Sequence, residues 1–114
     1  MELRTASSPR DVKTYDTARL REEFLMENLF GADEVKLVYS HIDRIITGTA
    51  VPVAGPLMLA DGAQLHAKYF LERRELGVIN IGGDGAITVD GTRYDLRRKD
   101  GLYVGMGAKE IRFE

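Results

Sequence analysis

The chain has 114 residues, a formal net charge of −2 and no cysteine. This length fits a single domain, and the lack of cysteine excludes disulfides, thiolate nucleophiles and zinc–thiolate sites. The weakly acidic balance and scattered aromatic residues argue against nucleic-acid binding. No apolar run approaches the roughly 20 residues of a membrane helix, and residues 1–4 lack a signal-peptide pattern. We therefore expect a soluble cytoplasmic protein with neither a nucleic-acid nor a membrane partner.

The N-terminal region divides into an arm and a helix. Residues 1–16 are polar and predict an extended or mobile arm. Asp16 is a candidate N-cap, and apolar residues at helical spacing continue from there to Phe30. Gly31 is a candidate C-cap. We predict a helix of about three turns that packs on the outside of a barrel or against a partner chain.

From Val35 onwards, short β segments alternate with Gly, Asp and Pro. Asp90 and Gly91 between two such segments predict a two-residue hairpin, residues 82–85 predict a second tight turn, and residues 52–56 predict a break. Many short strands at this spacing predict a mostly β fold, an antiparallel jelly-roll barrel formed by residues 17–114. The predicted strands are 35–41, 43–49, 66–72, 77–82, 85–90, 92–97, 101–104 and 109–113.

The last predicted strand, residues 109–113, reaches the end of the sequence without a following turn. A jelly-roll barrel needs a further strand beside it, and an unpaired edge invites pairing with another chain. We therefore expect a barrel that is incomplete at its C-terminus, either as a truncated product or as an obligate oligomer that completes the sheet in trans.

Histidines and carboxylates offer little for metal binding. His41 and His66 are too few, and too far apart in sequence, for the three converging ligands of a mononuclear site. His41 and Asp43 share one face of a predicted strand because they are two residues apart. This pair could orient an imidazole for proton transfer, or it could form a structural hydrogen bond at a subunit contact. Both interpretations stay open.

A dense charge run spans residues 72–75 and contains Arg73 and Arg74. Such runs are usually solvated strand ends with weak ion pairs, although a guanidinium can also bind a substrate carboxylate bidentately. The glycines of residues 82–85 superficially resemble a phosphate loop. They precede a strand rather than a helix, so the helix N-terminus that binds phosphate in such loops is missing.

Two segments resemble the two motifs of cupin barrels with most of the metal ligands replaced. Cupins have a His-x-His, a Glu four residues later and a Gly seven residues after that Glu, followed by Pro-x-Gly-x-x-His. Glu75 and Gly82 keep the Glu and Gly positions. The replaced positions hold Tyr69 and Leu71 (for the two His), Gly105 (for the Pro) and Glu110 (for the last His). The resemblance implies a cupin-like barrel in which Glu75 and Glu110 occupy ligand positions without histidine partners, so no metal is expected in this chain.

Four longer blocks are similar to the N-terminal half of 5-keto-4-deoxyuronate isomerases, also called 4-deoxy-L-threo-5-hexosulose-uronate ketol-isomerases. The blocks are residues 21–34, 38–45, 69–83 and 102–110. This resemblance implies a two-cupin enzyme of more than twice this length, generally a hexamer. It also implies a zinc ion held by three histidines and one glutamate of the second cupin, none of which falls on this chain. The implied reaction is an aldose–ketose interconversion in pectin and uronate catabolism, by an enediol route or a hydride shift, and both routes stay open.

For this chain the resemblance implies a structural and oligomerisation role, without activity in isolation. If it contacts the uronate substrate, the candidate residues are His41, Arg44, Arg73 and Arg74. The alternative function is a stand-alone, metal-free cupin-like module for assembly or sugar-acid binding, without enzymatic activity.

Overall fold

The computed structural model describes all residues 1–114 as nine β-strands and two short helices. The strands are β1 (Glu2–Arg4), β2 (Val35–Ser40), β3 (Ile46–Ala50), β4 (Leu57–Met58), β5 (Leu76–Ile79), β6 (Gly85–Val89), β7 (Thr92–Leu96), β8 (Gly101–Val104) and β9 (Ile111–Phe113). The helices are α1 (Pro9–Val12) and α2 (Thr17–Phe24), and Ala63–Leu65 forms one 3₁₀ turn. The predicted mostly β fold class is confirmed. Neither helix is long and apolar enough to cross a membrane.

The strands form three sheets that do not close into a barrel. The first sheet has the order β1-β2-β3, the second β4-β9-β6-β7, and the third contains only β5 and β8. All pairs are antiparallel except β1 with β2. The expected jelly-roll barrel is therefore not closed: the structure has separate, mostly antiparallel sheets, with no pairing between β3 and β5.

One hydrophobic core joins the three sheets. Its buried members are Phe70, Leu71, Ile87, Leu96, Val104 and Ile111. Partly buried residues pack against this cluster from the two smaller sheets, among them Leu37 of β2, Ile46 of β3 and Val78 of β5. Because every sheet contributes side chains to the same cluster, the chain folds around a single core.

The N-terminal region differs from its prediction in two ways. Helix α2 begins as predicted, with the Asp16 carboxylate accepting the Arg19 N–H at 2.9 Å, but it ends at Phe24 and not at Phe30. Leu25 has an extended backbone, so the helix does not continue past Phe24. The residues that follow instead contact the first sheet, where the Leu29 carbonyl accepts the Thr49 hydroxyl of β3. The arm of residues 1–16 is also more ordered than predicted, because β1 pairs with β2 in parallel.

The predicted strand 66–72 is wrong. His66 has a left-handed backbone, with φ 51°, and Phe70 and Leu71 are buried in succession rather than in alternation. A strand sends successive side chains to opposite faces, so this segment instead turns to place two neighbours in the core. The Leu71 carbonyl accepts the Gly107 N–H at 2.8 Å, which joins the two motif segments.

The predicted strand 43–49 begins later, at Ile46. Asp43 and Arg44 both have φ 54°, so they form a tight turn between β2 and β3. The alternation argument for His41 and Asp43 is therefore wrong, because both residues lie beyond the end of β2 at Ser40.

The C-terminal strand is not an unpaired edge. β9 lies between β4 and β6, with Ile111 opposite Val89 and Phe113 opposite both Ile87 and Leu57. The expectation of an open edge at this strand is corrected, since the strand order places β9 inside the four-stranded sheet.

Asp90 forms the predicted hairpin turn and also joins two strands. Asp90 and Gly91 have φ 46° and 83°, the left-handed values that a two-residue hairpin requires. The Asp90 carboxylate accepts the N–H groups of Lys109 at 3.0 Å and Glu110 at 2.8 Å. The β6–β7 turn therefore fixes the segment that leads into β9.

We predict that Asp90→Ala lowers the free energy of unfolding by about 1–2 kcal/mol, since it removes charge-assisted hydrogen bonds from two backbone N–H groups at an exposed position. Urea denaturation measures this change. Asp84→Ala is the matched control, because Asp84 is an exposed turn residue without hydrogen bonds, and an equal loss in both variants would contradict the role of Asp90.

Candidate functional site

A cleft of about 1230 Å³ opens between β3 and β5. Its floor includes the core residues Phe70, Ile87 and Leu96, while its rim includes Arg73 and Arg74. Ligand sites are typically roughly 300–1,000 Å³, mostly apolar, with a few polar groups that fix orientation. The cleft has this character and is large enough for a sugar-sized molecule.

Arg73 and Arg74 are anchored in different directions. Arg74 donates from Nη1 to the Arg44 carbonyl at 2.8 Å, which ties the start of β5 to the β2–β3 turn. Arg73 donates from Nη2 to the His66 carbonyl at 2.9 Å. Both bonds end on neutral oxygen atoms, so they hold the guanidinium groups in place without neutralising them.

The ring of Tyr39 contacts two of the predicted site residues, Arg74 and His41. The Arg74 Cζ atom lies 5.3 Å from the centre of the Tyr39 ring, in cation–π range. The ring of His41 lies edge-on to Tyr39, with centroids 5.1 Å apart. The side chains of His41 and Arg74 are thus brought together around Tyr39, and Arg44 joins them only through its backbone carbonyl. Arg73 points instead toward the segment that contains His66.

Arg44, Arg73 and Arg74 form what we call the arginine cluster. None of the three guanidinium groups is part of an ion pair, although seven ion pairs occur elsewhere in the chain. Only Arg73 and Arg74 line the cleft; Arg44 and His41 lie outside it. The unneutralised positive charge at the cleft rim is therefore concentrated on Arg73 and Arg74.

Glu75 does not neutralise the arginine cluster because its carboxylate has another partner. It accepts the Tyr103 hydroxyl across the β5–β8 sheet. This hydrogen bond, together with the charge of Glu75, raises the pKa of Tyr103 above its ordinary value of 10.0. Tyr103 is therefore a neutral donor at physiological pH, and it fixes the Glu75 carboxylate.

The residues at the cupin ligand positions do not fit a zinc ion. Leu71, at the second histidine position, is 1% exposed and belongs to the core. Glu75 is bonded to Tyr103 and lines the cleft, whereas the Glu110 N–H is bonded to Asp90 at a hairpin outside the cleft. No group of three His, Cys, Asp or Glu side chains in the chain could hold a metal ion.

Tyr103 and Asn80 are positioning residues that the sequence alone did not reveal. Asn80 donates to the carbonyls of Gly83 and Leu96 at 2.7 and 3.0 Å, and so fixes the glycine turn beside the cleft. No sequence signal identifies Tyr103, because its partner Glu75 lies 28 residues away in sequence, just before β5. Tyr39 lies in a polar run with His41, and that run is the only signal that could have pointed to it.

Mostly antiparallel sheets around one core, with Leu71 of the first motif in that core, are consistent with a mostly β, cupin-like fold. No protein-family model matches the chain. It is similar to enzymes named 4-deoxy-L-threo-5-hexosulose-uronate ketol-isomerase, with 67% identity over 113 residues to that of Lachnoclostridium phytofermentans and 58% over 114 residues to that of Lachnospira eligens. The enzyme of Formosa agariphila is 57% identical over 112 residues.

These alignments cover between 98% and 100% of the chain but only 40% to 41% of each relative. The resemblance deduced from the sequence is confirmed: the chain is related to the uronate ketol-isomerases across the part of those enzymes that it matches.

We predict that one tyrosine titrates above the ordinary tyrosine value of 10.0 and that Tyr103→Phe removes this titration. The hydrogen bond between Tyr103 and Glu75 stabilises the folded state only while Tyr103 is protonated. Because the folded-state pKa of Tyr103 is raised, this contribution to stability is complete below pH 10.0 and is lost as pH rises through the folded-state pKa. Absorbance of the phenolate against pH measures the titration, and urea denaturation over the same pH range measures the loss of stability.

Glu75→Gln is the matched variant for this titration, because it keeps an oxygen acceptor and removes the charge. It should lower the pKa of Tyr103 toward 10.0. A Tyr103 titration that is insensitive to Glu75→Gln would contradict the assigned cause.

Proposed function

We propose that this chain is the N-terminal part of a uronate ketol-isomerase, which interconverts 5-keto-4-deoxyuronate and 3-deoxy-hexodiulosonate in cytoplasmic pectin and uronate catabolism. The main support is 67% identity over 99% of the chain to an enzyme with that name. Chains this similar share a fold and a placement of side chains, so the cleft and its rim are expected in the relatives as well.

Within that enzyme, we propose a structural and oligomerising role for these residues, in a homo-oligomer such as the family's hexamer. The poor fit of Leu71, Glu75 and Glu110 to a metal supports placing the family's zinc ligands outside these 114 residues. Zinc would supply polarisation of the substrate oxygens when bound. What these residues can contribute themselves is a folded frame, the two guanidinium groups of Arg73 and Arg74 at the rim of the cleft, and an apolar floor that excludes water.

Arg73 and Arg74 are the proposed binding groups for the uronate carboxylate, with Arg44 and His41 in supporting positions. Both cleft-lining guanidinium groups lack ion pairs, and each is anchored through one N–H, which leaves further donors for a carboxylate. Tyr39 holds Arg74 from the side. Such hydrogen bonds act on substrate binding and not on the chemical step.

We predict that a chimera retains ketol-isomerase activity when these 114 residues replace the matched 113 residues of the Lachnoclostridium phytofermentans enzyme. The measurement is turnover of 5-keto-4-deoxyuronate with zinc supplied, beside the unmodified enzyme and this chain alone. We expect no turnover by the chain alone. A folded, zinc-loaded chimera without activity would contradict the proposed function, and turnover by the chain alone would contradict its structural role.

We predict that Arg74→Ala in the chimera raises KM about tenfold with little change in kcat, because a carboxylate interaction of equal strength in the ground and transition states affects binding alone. Arg74→Lys should recover only part of the affinity, since lysine keeps the positive charge but cannot form bidentate hydrogen bonds with a carboxylate. Arg98→Ala is the control, as Arg98 is exposed, unpaired and outside the cleft. An unchanged KM accompanied by dissociation of the oligomer would make Arg74 an interface residue.

A further inference from the structure

The turn between β5 and β6 and the turn between β7 and β8 are joined by Asn80. Its backbone N–H donates to the Asp100 carbonyl at 2.9 Å, and its carbonyl accepts the Lys99 N–H at 2.6 Å. Its side-chain amide donates to the Gly83 carbonyl at 2.7 Å. Asn80 therefore holds the glycine turn, residues 82–85, against the turn that follows β7.

The turn after β7 carries the only run of three cationic residues in the sequence, Arg97, Arg98 and Lys99, and we call it the basic turn. The Arg97 carbonyl accepts the Asp100 N–H at 3.0 Å, and the Asp100 carboxylate accepts the Arg97 N–H at 2.8 Å. These bonds close the turn, while its three cationic side chains are exposed and form no ion pair. Because the whole chain has a net charge of −2, this positive charge is a local feature of the surface.

Three backbone N–H groups in these two turns have no acceptor within the chain. They belong to Gly83, Asp84 and Arg98, which lie outside the helices and strands and donate no hydrogen bond. Backbone N–H groups are strong donors, and successive N–H groups in turns form concave sites for anions. Together with the three cationic side chains, the two turns offer six donor groups to an anion.

The backbone of Lys99 shows that its side chain is kept against a local preference. Its φ is 73°, in the left-handed region, and it occupies the third position of the basic turn, where glycine is preferred for such a φ. A glycine would adopt this conformation without strain. The turn itself therefore does not require lysine, which points to a use for the ammonium group.

An anion with several charged oxygen atoms matches this donor set best. A carboxylate has two oxygen atoms, whereas a phosphate monoester has three terminal oxygens and a charge of about −1.5 to −2. In phosphate loops a helix N-terminus supplies positive charge. Here the glycine turn precedes β6, and the basic turn supplies that charge instead.

We propose that the glycine turn and the basic turn together bind a phosphate dianion, either inorganic phosphate or a phosphate monoester. The N–H groups of Gly83, Asp84 and Arg98 and the side chains of the basic turn are its donors. None of the three cationic side chains of the basic turn lines the cleft. The site is therefore separate from Arg73 and Arg74, and it goes beyond the proposed function.

The Asp84 carboxylate limits the affinity of this site. It is exposed and forms no ion pair, and it belongs to one of the residues whose N–H groups bind the anion. Because like charges repel, Asp84→Asn should tighten phosphate binding about threefold in the presence of salt. A turn residue with a purely structural role would not change the affinity in this direction.

Amide chemical shifts of the isotope-labelled chain test the site. Inorganic phosphate is added at a pH of about 8, at which phosphate carries close to two charges, with sodium chloride keeping the ionic strength constant. The amides of Gly83, Asp84 and Arg98 should shift and saturate, with a Kd of about 1 mM. Shifts that do not saturate, or that acetate produces at the same concentrations, would overturn the proposal.

Glycerol phosphate is the second probe and distinguishes the two sources of the phosphate group. Tighter binding of glycerol phosphate than of inorganic phosphate would support a monoester as the ligand. Equal binding would support a site for the phosphate group alone. Failure of both probes to shift these amides would overturn the site.

Lys99→Gly separates anion binding from the stability of the turn. It should weaken phosphate binding at least about fivefold, through the loss of one charge–charge interaction, while the Tm stays unchanged or rises because glycine fits the left-handed backbone. Lys13→Gln is the control, since Lys13 is an exposed lysine of the N-terminal arm without an ion pair. Unchanged affinity in Lys99→Gly, or weaker binding in Asp84→Asn, would overturn the proposal.

Kinetics of the chimera described above keep this site distinct from the proposed carboxylate site. Saturating phosphate should leave the KM for 5-keto-4-deoxyuronate unchanged, because the basic turn lies outside the cleft. A KM that rises in proportion to phosphate would place the anion at Arg73 and Arg74 and overturn the separate site.

Discussion

The fold depends most on the burial of Leu71 and on the hydrogen bond that its carbonyl accepts from Gly107. The side chain occupies the core that all three sheets share, and the backbone bond ties the segment before β5 to the segment before β9. With Leu71 fixed, the residues that follow it emerge at the rim of the cleft. Arg73, Arg74 and Glu75 therefore owe their positions to an apolar residue at a place where metal-binding cupins have a histidine.

Leucine in place of histidine at position 71 removes a metal ligand and also stabilises the core. A histidine at this position would be a polar group within the core and would need a partner to offset its desolvation. Leucine removes that cost and adds apolar burial, roughly 1.5–3 kcal/mol for a side chain of its size. The segment thus keeps a structural role in the core, and Arg73 and Arg74 follow it at the rim of the cleft.

Local signals in the sequence predicted the β-hairpin at Asp90, the start of α2 at Asp16 and most of the strands from Val35 onwards, because each depends on neighbouring residues. Predictions failed where tertiary packing decides the conformation. The segment at Phe70 and Leu71 has the composition of a strand, but core packing requires two successive side chains on one side. At the site, the charge run pointed to Arg73 and Arg74, while the bond between Tyr103 and Glu75 depends on strand register that no local pattern shows.

The parallel pairing of β1 with β2 has a consequence for the order of folding. Val89 pairs with Thr92 across a two-residue turn, whereas Glu2 pairs with Val38 from the other end of a long loop. Loop closure makes distant pairings slower to form than local ones. The β6–β7 hairpin is therefore suited to form early, and the pairing of β1 with β2 is suited to form later. Because a chain is synthesised from its N-terminus, residues 2–4 exist before their partner strand does, and they stay unpaired until β2 has been made and has left the ribosome.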